Sequence, residues 1–518
     1  MNRLRFLLPI LLLNLMAAPA CADAAKDDQA PLLTLRETLR LGVQRNLDLQ
    51  ITAEEIPISA EDVSAEEAAF DPVTEISAET GAERTPTTSV FTGDQYDRQR
   101  RYVGSAGLNK RFRTGTEGSV AFETSRRTTN SAITGLDPEY RSYLILDLTQ
   151  PLLRDFGDEV NTASLREARE RRRQASLQFL DRARLLAGEI EQAYTEVGRS
   201  RRVVERRLES RELARELLDG NREKFESGLI PVSEVQEAQT AVAARDEELL
   251  LARQQAETAL NNLEDLLESD GRYHLGEAFR TESLSVGQRD VPRQEEAFGL
   301  ALDNRPDLES RRIELSVRDI RLTFARNQKL PRLDLQGTLG TNGLSGNART
   351  PSFGETSGPN PFRGDYNDSL EGMAERDGYE WAVGLNFSYP LDNRRAESRY
   401  RQAILRKRQE VHRLHRLENR LATEVENALV AVNRSLERVE VAERVVSLAE
   451  TTLQQEMDRL AAGLSNTFRI LDFQEDLIAA QVRLINARAD VEKGMAELYA
   501  AMGLNLERHG IRPELARR

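Results

Sequence analysis

The amino-acid sequence carries one phrase twice, and this duplication restricts the fold more than any composition could. Asn46-Leu47-Asp48-Leu49 in the first half answers Arg305-Pro306-Asp307-Leu308 in the second. A helical run precedes each, with Leu35, Leu39, Leu41 and Val43 in one and Ala297, Phe298, Ala301 and Leu302 in the other. Pro72 follows Asp48 by 24 residues, and Pro331 follows Asp307 by the same 24. Beyond each proline the pattern alternates, through Val73, Glu75 and Ser77 and through Leu333, Leu335 and Gly337. That alternation predicts strands with one apolar face. Polar loops rich in Gly, Pro, Asn, Ser and Thr are expected over about 79–100 and 342–378.

A second strand is predicted in each half, over 143–149 and 381–389, and each runs into a proline, Pro151 or Pro390. Proline suits both a strand end and a helix start. From there the apolar spacing changes to steps of three and four. Leu177, Leu180, Ala183, Ala187, Ile190, Ala193 and Val197 follow it in the first half. Leu421, Val425, Ala428, Val432, Leu436, Val439, Ala442, Val446, Ala449 and Leu453 follow it in the second. Long coiled-coil helices are expected, each a rod of roughly 110 Å if the helix runs from proline to tip at about 1.5 Å per residue. The tips are a matched pair, Ser227-Gly228-Leu229-Ile230-Pro231 and Ala462-Gly463-Leu464-Ser465-Asn466, in which glycine caps one helix and Pro or Asn opens the next. Return helices follow over 232–268 and 468–502.

Composition fits long solvated helices. Of the 518 residues 31% are charged, 39% are hydrophobic and only 5% are aromatic, too few apolar groups for a globular core of this length. The net charge of −14 does not suit nucleic acid, which requires a basic stripe. One cysteine, Cys21, and four histidines without metal-ligand spacing exclude a disulfide framework, a Cys-rich zinc site and a thiol nucleophile in the body of the protein. No nucleophile, phosphate loop or metal spacing is recognisable, so neither an enzyme nor a cofactor is expected. Arg3 and Arg5, the apolar run 6–16 and the small residues around Ala20 read as an export signal over 1–22. Cys21 is either the acylated residue of a lipoprotein, although Ala18 stands where such sites usually carry Leu, or is trimmed away or left as the mature end.

Helix, strand, loop, strand, very long helix, tip and return helix, written twice behind an export signal, resembles the outer-membrane efflux protein (TolC-like) family over residues 32–503. The resemblance rests on the two Asp-Leu helix starts, on Gln150-Pro151-Leu152 and Tyr389-Pro390-Leu391, and on the tips. Val235-Gln236-Glu237-Ala238-Gln239 and Ile470-Leu471-Asp472-Phe473-Gln474 follow those tips. It implies a mainly α chain with membrane β structure: duplicated long coiled-coil hairpins, and about four strands per chain shared among three chains in a 12-stranded barrel above a periplasmic α-helical tunnel. Elementary closure agrees, because four strands cannot close a barrel when about eight is the practical minimum. Trp381 with Tyr379, and Tyr140 with Tyr143, sit at strand ends, where an aromatic girdle would lie. The organisation expected is a signal peptide at 1–22, repeats at 31–268 and 293–503, a linker at 269–292 and a tail at 504–518.

The resemblance also implies the function of an outer-membrane exit duct of a tripartite efflux pump or type I secretion system. Such a duct is passive, and a periplasmic adaptor (membrane fusion) protein of an inner-membrane pump opens it. The alternative is a periplasmic coiled-coil scaffold without a pore. By resemblance, Gly228, Leu229, Gly463 and Leu464 form the adaptor contact, and Ser233, Glu234, Arg469 and Asp472 the periplasmic gate, where three copies of Asp472 would form a cation-attracting ring. Leu460 stands where an aromatic gate residue would be, Ser465 where an arginine would be, and Arg469 in place of a second acid. A weaker cation preference is therefore expected, with Arg469 paired to Glu234 or Asp472. The first half also departs from the pattern. Pro72 and Pro151 are 79 residues apart, against 59 between Pro331 and Pro390, and the excess holds a hairpin pattern through Leu108, Phe112, Gly115, Val120 and Phe122. Either a rim feature or extra barrel staves would account for it.

Overall fold

The structure is a computed structural model that describes residues 32–89, 92, 94–267, 280–282, 291–350 and 360–512. The expected leader, Cys21 and most of the 269–292 linker lie outside the described residues.

The duplication is visible in the element lengths. The first half runs β1 (Leu32–Leu33), α1 (Leu35–Arg45), α2 (Leu47–Ala68), β2 (Val73–Pro86), β3 (Tyr96–Arg111), β4 (Glu117–Thr129), β5 (Leu136–Pro151), α3 (Asp158–Asn161), α4 (Ala163–Glu226) and α5 (Val232–Leu267). The second runs β6 (Arg280–Thr281), α6 (Gln294–Asn304), α7 (Pro306–Asn327), β7 (Arg332–Ala348), α8 (Tyr366–Glu375), β8 (Gly378–Ser388), α9 (Arg394–Ala461), α10 (Thr467–Met502) and α11 (Asn505–Arg508). Helices α1 and α6 both have 11 residues, α2 and α7 both 22, and α5 and α10 both 36; α4 has 64 and α9 has 68. The expected rods therefore begin past the strand-end prolines, because residues 152–162 and 391–393 form turns and a short helix first.

The chain divides into two compact units. One holds residues 48–182 and 298–424, including every strand except β1 and β6. Its six strands form one antiparallel sheet in the order β2-β3-β4-β5-β7-β8. The count of about four is thus corrected to six, because β3 and β4 pair continuously between β2 and β5. The expected loops are also shorter. β2 reaches Pro86 and β7 reaches Ala348, and α8 forms within the polar stretch behind an Asp365 cap that accepts from Asn367 N at 2.8 Å.

One face of the sheet is apolar and open. Its rows run Thr74, Leu108, Val120, Leu146, Leu339, Trp381 and then Ile76, Ala106, Phe122, Leu144, Thr341, Tyr379. Helix α8 covers this face only at the end away from Pro151, where Thr341 Oγ1 donates to Met373 O; Ile76 is 79% exposed and Trp381 69%, and the rest of the band has no cover among the described residues. Val73, Glu75 and Ser77, on which the alternation was read, line the opposite, polar face with Asn109, Glu123, Asp147 and Glu380. Tyr143 lies on that polar face too, where Arg141 donates to its hydroxyl at 3.3 Å. It is therefore no girdle partner for Tyr140, which meets Tyr366 of α8 edge to face at 6.0 Å.

The repeated Asp closes an ion pair in each half. Arg182 reaches Asp48 at 3.3 Å, and the buried Arg305 holds Asp307 through two 2.9 Å bonds while donating to Glu424 at 3.0 Å. The other unit comprises the described residues of 1–47, 183–297 and 425–514. It buries Leu186, Ile190 and Val197 of α4, Leu263 and Leu267 of α5, and Val491, Met495 and Leu498 of α10. Strands β1 and β6 pair in parallel beside α4, where the Tyr194 hydroxyl donates to Leu33 O at 2.6 Å and accepts from Glu282 N at 2.9 Å. Among the described residues no helix is long and apolar enough to cross a membrane.

Candidate functional site: the paired helical tips

Both tips are built by the same backbone device. Gly228 and Gly463 have φ of 72° and 73°, the left-handed region that costs glycine nothing. Leu229 N bonds to Lys224 O at 2.9 Å and Gly228 N to Phe225 O at 2.8 Å. Leu464 N bonds to Arg459 O at 2.8 Å and Gly463 N to Leu460 O at 3.0 Å. Each pair closes the last helical carbonyls in a Schellman cap. The turn then presents its leucine to solvent, Leu229 at 75% and Leu464 at 71% exposure. On the far side Asn466 caps α10 by accepting from Arg469 N at 3.1 Å.

Behind the turns the helices are tied by polar groups on their apolar seams. Asn221 of α4 donates to Glu234 O at 3.3 Å and to Thr467 Oγ1 at 3.2 Å, and Thr467 Oγ1 donates to the Glu234 carboxylate at 2.9 Å. This joins the first tip to the second through a buried Asn and a buried Thr. One layer back, the buried Arg245 donates to Ser210 Oγ at 3.0 Å and Leu471 O at 3.2 Å, while Arg207 pairs with Glu248 at 2.7 Å and Glu475 at 3.3 Å. Burial pushes the Arg245 guanidinium below its ordinary value, against the pull of Glu475 and Glu248.

The second tip centres on a carboxylate that the motif reading missed. Glu456, 3% exposed, accepts from Ser465 Oγ at 2.5 Å and lies 3.1 Å from Arg469 Nε and 3.6 Å from an Arg459 nitrogen. Arg469 therefore pairs with Glu456 and not with Glu234 or Asp472, and its guanidinium also stands 5.8 Å from the Phe473 ring. Ser465, in the place of an arginine, serves the same carboxylate. A signal for Glu456 exists in the spacing. It continues the seam Val446, Ala449, Leu453 by one step of three, as Asn221 continues Ala214 and Leu218. Ser233 and Asp472 are exposed, and no bond of the Asp472 side chain occurs among the described residues. Nor do these include a cluster of His, Cys, Asp or Glu able to hold a metal.

The duplicated frame and the two matched caps correspond to a known family: the sequence profile of the outer membrane efflux proteins matches residues 38–268 and 297–504. The chain belongs to that family. It is accordingly an outer-membrane efflux conduit extending into the periplasm, and the scaffold alternative has no support. Solved structures of similar fold include the CmeC outer membrane channel of Campylobacter jejuni, 16% identical over 95% of this chain and 93% of that one, with a TM-score of 0.65. A membrane protein from Pseudomonas aeruginosa is 18% identical over 97% and 98%, TM-score 0.65. The open state of the Neisseria gonorrhoeae MtrE outer membrane channel is 15% identical over 90% and 88%, TM-score 0.60. No curated protein matches the sequence.

Proposed function

We propose that three copies of this outer-membrane efflux protein form the exit duct of a tripartite pump, opened when a periplasmic adaptor docks on the Gly228-Leu229 and Gly463-Leu464 turns. The reading also takes 31–268 and 293–503 as the two repeats, with a linker between, and assigns no catalysed reaction. The observation that carries it is the sheet: an exposed apolar face and unpaired outer edges on β2 and β8 have no stable place in a single chain. A helix of the other unit gives independent support, since Val441, Val445 and Leu448 of α9 are 51%, 38% and 68% exposed on a coiled-coil helix that sister helices would cover. At the mouth the Asn221–Glu234–Thr467 tie would hold each chain's two hairpins together, the Glu456–Arg469 pair would brace the second hairpin, and Ser233 and Asp472 would face the narrowing passage. Outer-membrane fractionation followed by unheated gel electrophoresis tests this. A heat-modifiable trimer in the outer-membrane fraction is expected, whereas a soluble monomer would overturn the proposal.

A further inference from the structure

The hairpin β3–β4 crosses the full height of the sheet. Its turn lies at the Pro151 end, where Gly157 N donates to Thr114 O at 3.0 Å and Arg111 donates to Asn161 Oδ1 at 3.1 Å. Gly115, at φ 92°, packs so closely there that a Cβ would stand 2.3 Å from Asp155 O. From this anchor the hairpin pairs residue for residue with both neighbours, Val73 to Asn109 at one side and Ser119 to Asp147 at the other. Its side chains keep the alternation of the whole sheet. Leu108, Val120 and Phe122 join the apolar rows, while Asn109, Ser119 and Glu123 join the polar ones. A rim feature would need neither the anchor nor the continuous two-faced pattern.

Six strands is an even number, so β2 and β8 run in opposite directions and the edge of one chain can pair antiparallel with the opposite edge of the next. We propose that three chains close an eighteen-stranded barrel, β2 of each paired with β8 of the next copy, with β3 and β4 as two staves of the lipid-facing wall. This rests on the trimeric reading above. Barrel width grows nearly in proportion to strand number. With strands about 4.8 Å apart and tilted about 40°, twelve give a backbone diameter of roughly 24 Å and eighteen give roughly 36 Å. The outer exit is then half as wide again as four strands per chain would make it, and the passage is limited elsewhere.

The test is a cysteine scan of β4 in the full chain in outer membranes, using Val120→Cys, Ala121→Cys, Phe122→Cys and Glu123→Cys with a membrane-impermeant maleimide. Alternation is expected, with 121 and 123 labelled at least tenfold faster from the water-filled lumen than the lipid-facing 120 and 122. Uniform labelling of all four in a protein that still runs as a trimer would overturn the eighteen-strand wall and leave the exit-duct reading standing. A chain that never forms the trimer would overturn both. As a second measurement, Ile76→Cys with Leu144→Cys is expected to give no intrachain disulfide on mild oxidation with diamide, because two strands separate β2 from β5. Efficient cross-linking of that pair would show β2 beside β5 and the hairpin displaced from the wall.

Discussion

Glu456, buried beneath the last turns of α9, faces Arg469 of α10 across 3.1 Å, and Ser465 in the intervening turn donates to the same carboxylate. The turn that carries Gly463 and Leu464 is thereby tied to both helices it joins. Removing the carboxylate strands two guanidinium groups that are about half exposed, so the loss is smaller than the several kcal/mol of a fully buried pair. About 1–2 kcal/mol is expected. Glu456→Gln should leave the trimer intact and raise single-channel conductance in planar bilayers several-fold, because the tip relaxes. Unchanged conductance would confine Glu456 to holding its own hairpin.

The two glycine caps carry separate loads. At φ near 72° a side chain costs about 1–2 kcal/mol, so Gly228→Ala and Gly463→Ala should each lower hairpin stability by that much, read as earlier proteolytic cleavage at the tip. In the proposed duct the exposed leucines would bear on docking and not on folding. A photo-crosslinking residue at position 229 or 464 should capture one and the same periplasmic protein in cells. Capture of different proteins from the two tips would remove the shared adaptor surface.

Asp472 is exposed, and three copies around one axis would attract cations into the mouth. Asp472→Ala should weaken block by multivalent cations roughly tenfold while Ser233→Ala leaves it unchanged. Equal block in both variants would remove the ring.

Gly115 decides whether the hairpin turn can seat. A methyl group there meets the backbone oxygen of Asp155 at 2.3 Å and Asn161 Nδ2 at 2.6 Å, and the carbonyl belongs to a turn already pinned by Asn327 donating from Nδ2 to Leu153 O at 3.2 Å. Gly115→Ala is expected to cost at least about 2 kcal/mol and to lower the temperature at which the trimer band disappears on unheated gels. The same band temperature in the variant would mean that the turn is not held against α3.

Most of the helical frame was legible because it repeats. Equal spacing from Asp48 to Pro72 and from Asp307 to Pro331 gave the element order, and the Gly-Leu phrases gave both tips. Two things escaped. Strand number was open because β3 reads poorly as a strand: Arg98, Arg100 and Arg101 interrupt its far half, and only cross-strand partners such as Arg101 with Glu123 reveal the pairing. Helix α8 escaped because ten residues in a polar stretch show little periodicity, and only the cap at Asp365 marks its start. The polar ties behind the tips escaped for another reason. Polar residues on a seam, Asn221, Arg245 and Glu456, look like breaks in a pattern until the facing helix supplies Thr467, Leu471 O or Arg469.

Acid sensitivity should be traceable to one carboxylate in the helical unit. Burial pushes the Glu196 carboxyl up, but hydrogen bonds from Arg199 and Lys493, with their charges, outweigh this and hold it below its ordinary 4.5. Lys493 Nζ lies 2.6 Å away, and Arg199 also donates to Asn486 Oδ1 at 3.0 Å, so the group links α4 to α10. A carboxyl held low in the folded state binds fewer protons there than in the unfolded chain. Its stabilisation is complete above pH 4.5 and is lost as pH falls through the lower folded value. Glu196 is about one-third exposed, which reduces the contribution to about 1 kcal/mol. Glu196→Gln should therefore melt earlier than the parent at pH 7, and the two melting temperatures, followed by helical circular dichroism, should converge as pH falls below 4.5. A constant gap over that range would mean that the ion pairs with Arg199 and Lys493 do not stabilise this helix pair.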